Sequence, residues 1–180
     1  FAPTPQTASL MLFLQMVAST RMHLEVADVK NAFCQGRPMQ RTRGSLFVEP
    51  CEGLELEPGS LIERIVPVYG LMDAPMEWHV TVTEELTKLG FRKCLLEPCW
   101  WTRRGTSGAL QMVLIEVDDF LIGSMGREDM RDLKDQLSKR FPFGTYREVD
   151  EEGAEFAGRR VRRLSDRVTV DQEKYILEEV

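Results

Sequence analysis

Two apolar runs with a pair of acids between them, Leu114-Ile115-Glu116-Val117-Asp118-Asp119-Phe120-Leu121-Ile122, constrain the fold of this chain more than any other stretch. β-Branched and aromatic residues dominate both flanks, so the flanks read as strands and the acids mark where the chain turns. Asp suits a turn for a local reason: its side chain hydrogen-bonds the backbone two residues on and it tolerates unusual φ. A second reading is equally physical. Two acids at a hairpin tip beside a buried sheet form half of a site for a hard divalent cation, because Mg²⁺ is held by one or two carboxylates together with phosphates. That reading requires a further acid from elsewhere in the chain.

The 180 residues suit one domain, or a domain with part of a second, and can bury a substantial core. The composition, 43% hydrophobic and 29% charged, is that of a soluble globular protein. A formal charge of −6 argues against broad binding of polyanions, so any nucleic-acid contact must use local basic patches. Cys34, Cys51, Cys94 and Cys99 form no CxxC pair, and the two histidines are not spaced for a shared zinc site. Without a cysteine framework or a secretory signal, a reducing intracellular compartment is expected. The most apolar run, Leu10 to Ala18, is too short to span a bilayer. The first residue is Phe1 rather than Met, which points to a piece of a longer polypeptide.

Leu10, Phe13, Leu14 and Val17 follow helical spacing, with Met11, Leu12 and Met16 on the other sides, so a largely buried helix is predicted, ending near Ser19 and Thr20. Met22, Leu24 and Val26 then alternate with His23 and Glu25, the pattern of a half-buried strand. If that strand continues, Asp28 joins the apolar face, where an ionised carboxylate needs a compensating metal or hydrogen-bond donor. From Gly36 to Gly59 the chain is rich in Pro, Gly and charge, with a short strand at Leu46 to Val48; Arg37, Arg41 and Arg43 there are either phosphate contacts or solvated loop residues. A strand at Leu61 to Val66 precedes the best helix, in which Asp73 is the predicted cap, Pro75 lies in the first turn, Trp78, Val82, Leu86 and Leu89 form the apolar stripe and Gly90 closes the end.

Trp100 to Thr102 read as a strand, and a turn at Gly105 to Gly108 leads into the strand entering the acid pair. A helix from about Glu128 to Arg140, a hairpin formed by Phe156 to Leu164 and Arg167 to Val170, and a final helix from Gln172 to Val180 complete the pass. The order strand, helix, strand, hairpin, strand, helix, strand is the βαββαβ succession of a ferredoxin-like α+β fold. In that topology the first strand lies beside the central hairpin, which brings Asp28 to Asp118 as the missing acid.

Four blocks resemble the reverse transcriptase of copia-type LTR retrotransposons. Asp28-Val29-Lys30-Asn31-Ala32-Phe33 is similar to the first polymerase motif, and Tyr69-Gly70-Leu71-Met72-Asp73-Ala74-Pro75 with Trp78 to the family's YGLKQAP block. Val117-Asp118-Asp119 resembles the YVDD hairpin, and Gln172-Glu173-Lys174-Tyr175-Ile176 a QEKYI segment near the thumb. Gly90-Phe91 and Glu97-Pro98-Cys99 echo the family's GF and DPC. The resemblance runs the length of the chain. It implies a polymerase palm, at about 21–33 and 67–150, with fingers-like parts at about 1–20 and 34–66 and a primer-grip hairpin and start of the thumb at 151–180.

The implied activity is RNA-directed DNA polymerisation, in which two Mg²⁺ ions, or Mn²⁺, stabilise the attacking 3′-hydroxyl and the leaving pyrophosphate. By the resemblance Asp28 and Asp118 are the principal metal ligands and catalytic acids, with Asp119 a weaker contributor. Phe33 matches the bulky residue that excludes a 2′-hydroxyl, and Tyr69 and Gly70 match positions near the nucleotide. Phe156-Ala157-Gly158 falls where the family positions the primer end, so that Gly158, Arg159 and Arg160 are implied nucleic-acid contacts, with Arg162 and Arg163 beside them to hold phosphates; a solvated charged strand is the competing reading of these arginines. Implied partners are an RNA or DNA template-primer, a dNTP, and integrase and RNase H domains of the same polyprotein, with no membrane; the implied location is a cytoplasmic particle and the nucleus.

Three residues depart from the family pattern. Glu116 stands where the family has Tyr, and Met72 and Asp73 stand for Lys and Gln, all making the site more negative. Strand parity predicts that Glu116 shares the face of Asp118, two residues on. Two alternatives follow: a catalytically silent palm acting at most as an interaction module, and an unrelated ferredoxin-like metal-binding domain in which Asp28 lies far from Asp118.

Overall fold

The two apolar runs around the acid pair form neighbouring antiparallel strands, Leu110–Glu116 and Asp119–Ser124, with Leu114 opposite Leu121 and Glu116 opposite Asp119. The computed structural model describes residues 2–38, 44–57 and 59–179; Arg41 and Arg43 lie outside them. Its elements in order are α1 (Thr7–Thr20), β1 (His23–Val29), a 3₁₀ turn (Ala32–Gln35), β2 (Leu46–Val48), β3 (Ile62–Arg64), α2 (Ala74–Lys88), β4 (Arg92–Lys93), β5 (Trp100–Arg104), β6 (Leu110–Glu116) and β7 (Asp119–Ser124). They continue with α3 (Arg127–Ser138), β8 (Phe143–Glu148), β9 (Ala154–Phe156), β10 (Arg159–Arg163), β11 (Val168–Asp171) and α4 (Glu173–Glu179).

One sheet has the order β4-β5-β6-β7-β1-β8, and every neighbouring pair in it is antiparallel. Strands β1, β6, β7 and β8, with α2 after β1 and α3 after β7, make the expected βαββαβ unit, and β1 lies between β7 and β8. A second sheet, β11-β10-β9, and a two-stranded ribbon, β2-β3, complete the chain. Among the described residues no helix is long and apolar enough to cross a membrane.

Both faces of the large sheet are covered. Leu24, Val26, Met112, Leu114 and Leu121 pack with Leu10, Phe13 and Val17 of α1 and with Ala154, Phe156 and Val161 of the second sheet. Ala27, Val29, Val113, Ile115, Phe120 and Ile122 pack with Trp78, Val82 and Leu86 of α2 and with Met130, Leu133 and Leu137 of α3. A strand buried on both faces must be apolar at every position rather than at alternate ones, which is why the acid pair is flanked by unbroken hydrophobic runs.

Four expectations need correction. Helix α1 is buried on one face only, since Met11 and Leu12 remain 46% and 55% exposed. The last strand of the βαββαβ unit is β8, which the sequence pattern does not mark. As an edge strand with Arg147 and Glu148 on its rim, it carries the polar residues that keep an edge from pairing further. The segment Phe156 to Leu164 is two strands, because Ala157 (φ 52°) and Gly158 (φ 69°) are both left-handed and turn the chain so that Arg159 pairs with Phe156. Asp73 precedes α2 in αR geometry and its side chain makes no capping hydrogen bond; its carbonyl instead accepts the amides of Met76 and Glu77, both at 3.1 Å.

Helix α1 crosses β7 at Gly123, where a Cβ would stand 3.4 Å from Val17 Cγ2 and 3.5 Å from Phe13 Cζ. That is room for a methyl group and nothing larger. Gly123→Ala is expected to be neutral or to stabilise by up to about 1 kcal/mol, whereas Gly123→Leu is expected to lose about 1–3 kcal/mol through overpacking. Denaturant midpoints of the two variants check this; equal effects would mean that α1 does not seat on the sheet at this residue.

Candidate active site

Strand β1 runs on to Val29, so Asp28 lies on the face that carries the buried Leu24 and Val26. Asp28 is opposite Asp119 on β7, and Asp119 is opposite Glu116 on β6. Residues directly opposite in an antiparallel ladder point to the same face, so three carboxylates stand in a row across three strands, at the end of the sheet. Asp118 sits at the tip between β6 and β7, and its carbonyl accepts the Val29 amide at 3.0 Å. Asp28 and the acid pair are therefore together, contrary to the reading as an unrelated domain. The expectation for Glu116 is corrected: the turn breaks strand parity, and Glu116 shares the face of Asp119.

The turn itself is strained. Val117 has φ 56°, a conformation that is a genuine outlier for a β-branched residue and costs on the order of 1–3 kcal/mol. The Val117 carbonyl accepts a hydrogen bond of 2.6 Å from the indole Nε1–H of Trp78, a residue of α2 that is 1% exposed. The carbonyls on both sides of the Asp118 Cα are thus fastened, that of Val117 to a helix and that of Asp118 to β1. Behind Asp28 the register of β1 against β8 shifts, and Gly144 of β8 leaves the space its carboxylate occupies: a Cβ there would stand 2.8 Å from Asp28 Oδ2.

Crowded, half-buried acids hold their protons more tightly. Burial foremost, and then the charge of Asp28, raises the Asp118 carboxyl above its usual range. Asp119 is pushed up to about 6, by burial first and then by Asp118, Asp28 and Glu116, against the opposing effect of the Ala157 amide. That amide donates to Asp119 Oδ2 at 3.0 Å. Glu116 is raised by burial and eased back by Arg159, whose Nη1 is 3.8 Å from Glu116 Oε2. The β9–β10 turn is therefore joined to the acid hairpin at two points.

Phe33, in the 3₁₀ turn after β1, lies against Tyr69 with ring centroids 4.6 Å apart. The 3₁₀ turn directly after β1 sets this aromatic pair at the same end of the sheet as Asp28, and burial foremost, then the charges of Asp118 and Asp28, raises the Tyr69 phenol. Gly70 follows in the left-handed region, φ 92°. The arginines around Gly158 all have partners within the protein. Arg159 bonds the Ala157 carbonyl as well as facing Glu116, Arg160 Nε bonds the Glu152 carbonyl at 3.0 Å, Arg162 pairs with Asp171 and Glu173, and Arg163 reaches the Met22 carbonyl. Arg37 is likewise tied to Glu77 and Glu84 of α2. The Met72 side chain is wholly exposed.

Gly144 is the residue around the acids that the sequence did not single out, and it carries no chemical signal there. Trp78 enters the sequence reading as part of a family block and as core on an apolar stripe, and Ala157 as part of the primer-end segment; neither reading foresees their hydrogen bonds to the acid hairpin. The donors gathered here are carboxylate oxygens, the hard ligands that suit a divalent cation such as Mg²⁺. Among the described residues no three His, Cys, Asp or Glu side chains close into a cage for a metal ion, and Mg²⁺ characteristically takes only one or two carboxylates and completes its shell with waters and phosphates.

An antiparallel ferredoxin-like sheet with acids at the tip of its central hairpin and on the adjoining strand defines a polymerase-palm type of domain. The chain belongs to the family described as reverse transcriptase (RNA-dependent DNA polymerase), which matches residues 1–180. It is 26% identical over 180 residues to the Retrovirus-related Pol polyprotein from transposon TNT 1-94 of Nicotiana tabacum, covering 98% of this chain and 13% of that polyprotein. The polyproteins from transposons RE1 and RE2 of Arabidopsis thaliana are 26% and 24% identical, each over 99% of this chain and 12% of their own length. These are copia-type relatives, and the chain spans about an eighth of them. The fold is shared with apo telomerase from Candida tropicalis truncated from the C-terminal domain, at a TM-score of 0.54 and 10% identity, over 94% of this chain and 41% of that one.

A carboxyl with a raised folded-state pKa favours folding while it is protonated and loses that contribution as it ionises. For Asp119 the loss occurs as pH rises from its ordinary 3.8 through about 6. In metal-free buffer the melting temperature is expected to fall across that interval, and Asp119→Asn, which keeps an oxygen for the Ala157 amide, is expected to reduce the fall. An Asp119→Asn profile with the slope of the parent would show that this carboxylate is not held up by its neighbours.

Proposed function

We propose that the chain is the palm of an RNA-directed DNA polymerase that joins dNTPs to a primer 3′-hydroxyl on an RNA or DNA template and releases pyrophosphate. The observation that carries this reading is the convergence of Asp28, Asp118 and Asp119 at one sheet end beside the Phe33–Tyr69 pair. In this reading residues 21–33 and 67–150 are palm, 1–20 and 34–66 fingers-like, and 151–180 the primer-grip hairpin and the start of the thumb.

Asp28 and Asp118 would hold the divalent cations with Asp119 contributing, and two such ions supply charge stabilisation to the attacking and leaving oxygens. Asp119 has one oxygen engaged by Ala157, which suits a lesser share in that task. The high proton affinity of Asp118 and Asp119 falls once a cation replaces the missing counter-charge, so both acids are ionised when the site is loaded. Phe33, braced by Tyr69, closes the space beside the sugar C2′ and discriminates against a ribonucleotide. Ala157 and Gly158 offer backbone at the primer end, and Arg159 keeps the charge of Glu116 from facing the primer alone. Flanking integrase and RNase H domains of the same polyprotein would complete the retrotransposition machinery.

One observation favours the second reading, a folded but catalytically silent palm: Arg159, Arg160, Arg162 and Arg163 all have partners inside the protein. Primer extension on an RNA template with Mg²⁺ decides between the two. Extension is expected, with a loss of about 100-fold or more in Asp118→Asn, since several kcal/mol of charge stabilisation depend on it; no extension, or extension indifferent to the substitution, rejects the polymerase. In the same assay Phe33→Val is expected to raise the ratio of ribonucleotide to deoxyribonucleotide incorporation about tenfold or more. An unchanged ratio would remove Phe33 from sugar selection.

A further inference from the structure

Val117 is the first residue of a two-residue connection between β6 and β7, and its φ of 56° is open to glycine and disfavoured for a β-branched side chain. Something must hold it there. The donor in place is the Trp78 indole, 2.6 Å from the Val117 carbonyl. The indole is itself fixed: Trp78 is 1% exposed, its ring meets Phe141 edge-on at 5.3 Å, and it packs in the core between α2, α3 and the sheet. On the far side of the same connection the Asp118 carbonyl is held by the Val29 amide at 3.0 Å. The peptide between Val117 and Asp118 is therefore clamped at its carbonyl by α2, and the carboxylate that projects from the next Cα inherits its direction from that clamp.

We infer that Trp78 is a positioning residue for Asp118: its N–H holds Val117 in the left-handed conformation and so fixes the Asp118 carboxylate at the hairpin tip, beside Asp28 and Asp119. Without the donor, Val117 relaxes toward negative φ, the peptide rotates, and Asp118 leaves its position while the core around Trp78 stays packed. Helix α2 starts at Ala74, shortly after Tyr69 and Gly70, so the clamp also ties the nucleotide-side loop to the acid hairpin. The effect on catalysis rests on the polymerase reading. The clamp on Val117 does not.

A double-mutant cycle separates aiming from mere packing. Trp78→Phe keeps the aromatic bulk and removes the donor; Val117→Gly removes the penalty that the donor restrains, because glycine occupies φ > 0 freely. In primer extension Trp78→Phe is expected to lower kcat about tenfold, as expected for the loss of one buried hydrogen bond in the transition-state geometry, with the dNTP KM changed less than about twofold. In the Val117→Gly background the same substitution is expected to change kcat less than about threefold. A loss of equal size in both backgrounds, or a loss appearing in KM alone, overturns the inference. If neither the parent nor any variant extends a primer, the polymerase reading has failed, and the clamp is read from thermal unfolding without metal. Trp78→Phe should then lower the melting temperature more in the parent than in the Val117→Gly background, and equal falls overturn the clamp.

Discussion

The backbone ladder between β1 and β7 holds like charges together against their own repulsion, and the rest of the structure depends on it. Asp28 faces Asp119 because Leu24 faces Gly123 and Val26 faces Leu121. A slip of one residue would turn every buried side chain of β1 to the wrong face. With both sheet faces packed, that slip would drive His23 and Glu25 into the core that Leu24 and Val26 now fill. Hydrophobic burial along the strands thus fixes the position of carboxylates that repel one another at their ends. The raised proton affinities of Asp118 and Asp119 are the electrostatic record of this forced proximity.

Backbone strain gathers in the same place. Among the described residues the non-glycine positions with positive φ are Arg21, Asn31, Val117 and Ala157. Three of these four lie close to the acids in the chain or in space: Asn31 is three residues after Asp28, Val117 precedes Asp118, and Ala157 gives its amide to Asp119. Such conformations persist only where the surroundings over-determine them. Here the surroundings can be named. Trp78 holds Val117, and Asp119 holds the Ala157 amide. The end of the sheet that carries the acids is built from conformations that the bare sequence would not choose, stabilised by contacts from elements distant in the chain.

That division explains how much could be read in advance. The helix α1, the strand leading to Asp28, the hairpin at the acid pair and the helix carrying Trp78 all follow from periodicity, because each buries a face large enough to impose a pattern. Strand β8 escaped because an edge strand is selected for polarity and leaves little apolar alternation, and the break at Ala157-Gly158 escaped because a left-handed alanine leaves no trace in composition. The meeting of Asp28 with the acid pair was legible through topology. The hydrogen bond from Trp78, the space left by Gly144 and the contact from Ala157 were not, since each depends on distances of a few tenths of an ångström between elements far apart in sequence.

The departures from the family pattern also look different once they are placed. Read along the strand, Glu116 adds a carboxylate beside Asp118. In the fold the turn intervenes, and Glu116 stands across from Asp119 with Arg159 at 3.8 Å. A partly exposed pair of that length contributes about 0–1 kcal/mol to stability, so it cannot be what holds the β9–β10 turn in position; the Ala157 amide and the packing of Phe156 do more. Its consequence is local. The guanidinium lowers the proton affinity of Glu116, while the charge of Glu116 still adds to those raising Asp119. Met72 lies fully exposed, so its replacement of a cation removes charge from the surface without adding an acid to the row. Of these departures, Glu116 is the one that stands in the row of acids, and it stands there with Arg159 as its counter-charge, so the two side chains belong to one electrostatic unit beside Asp119.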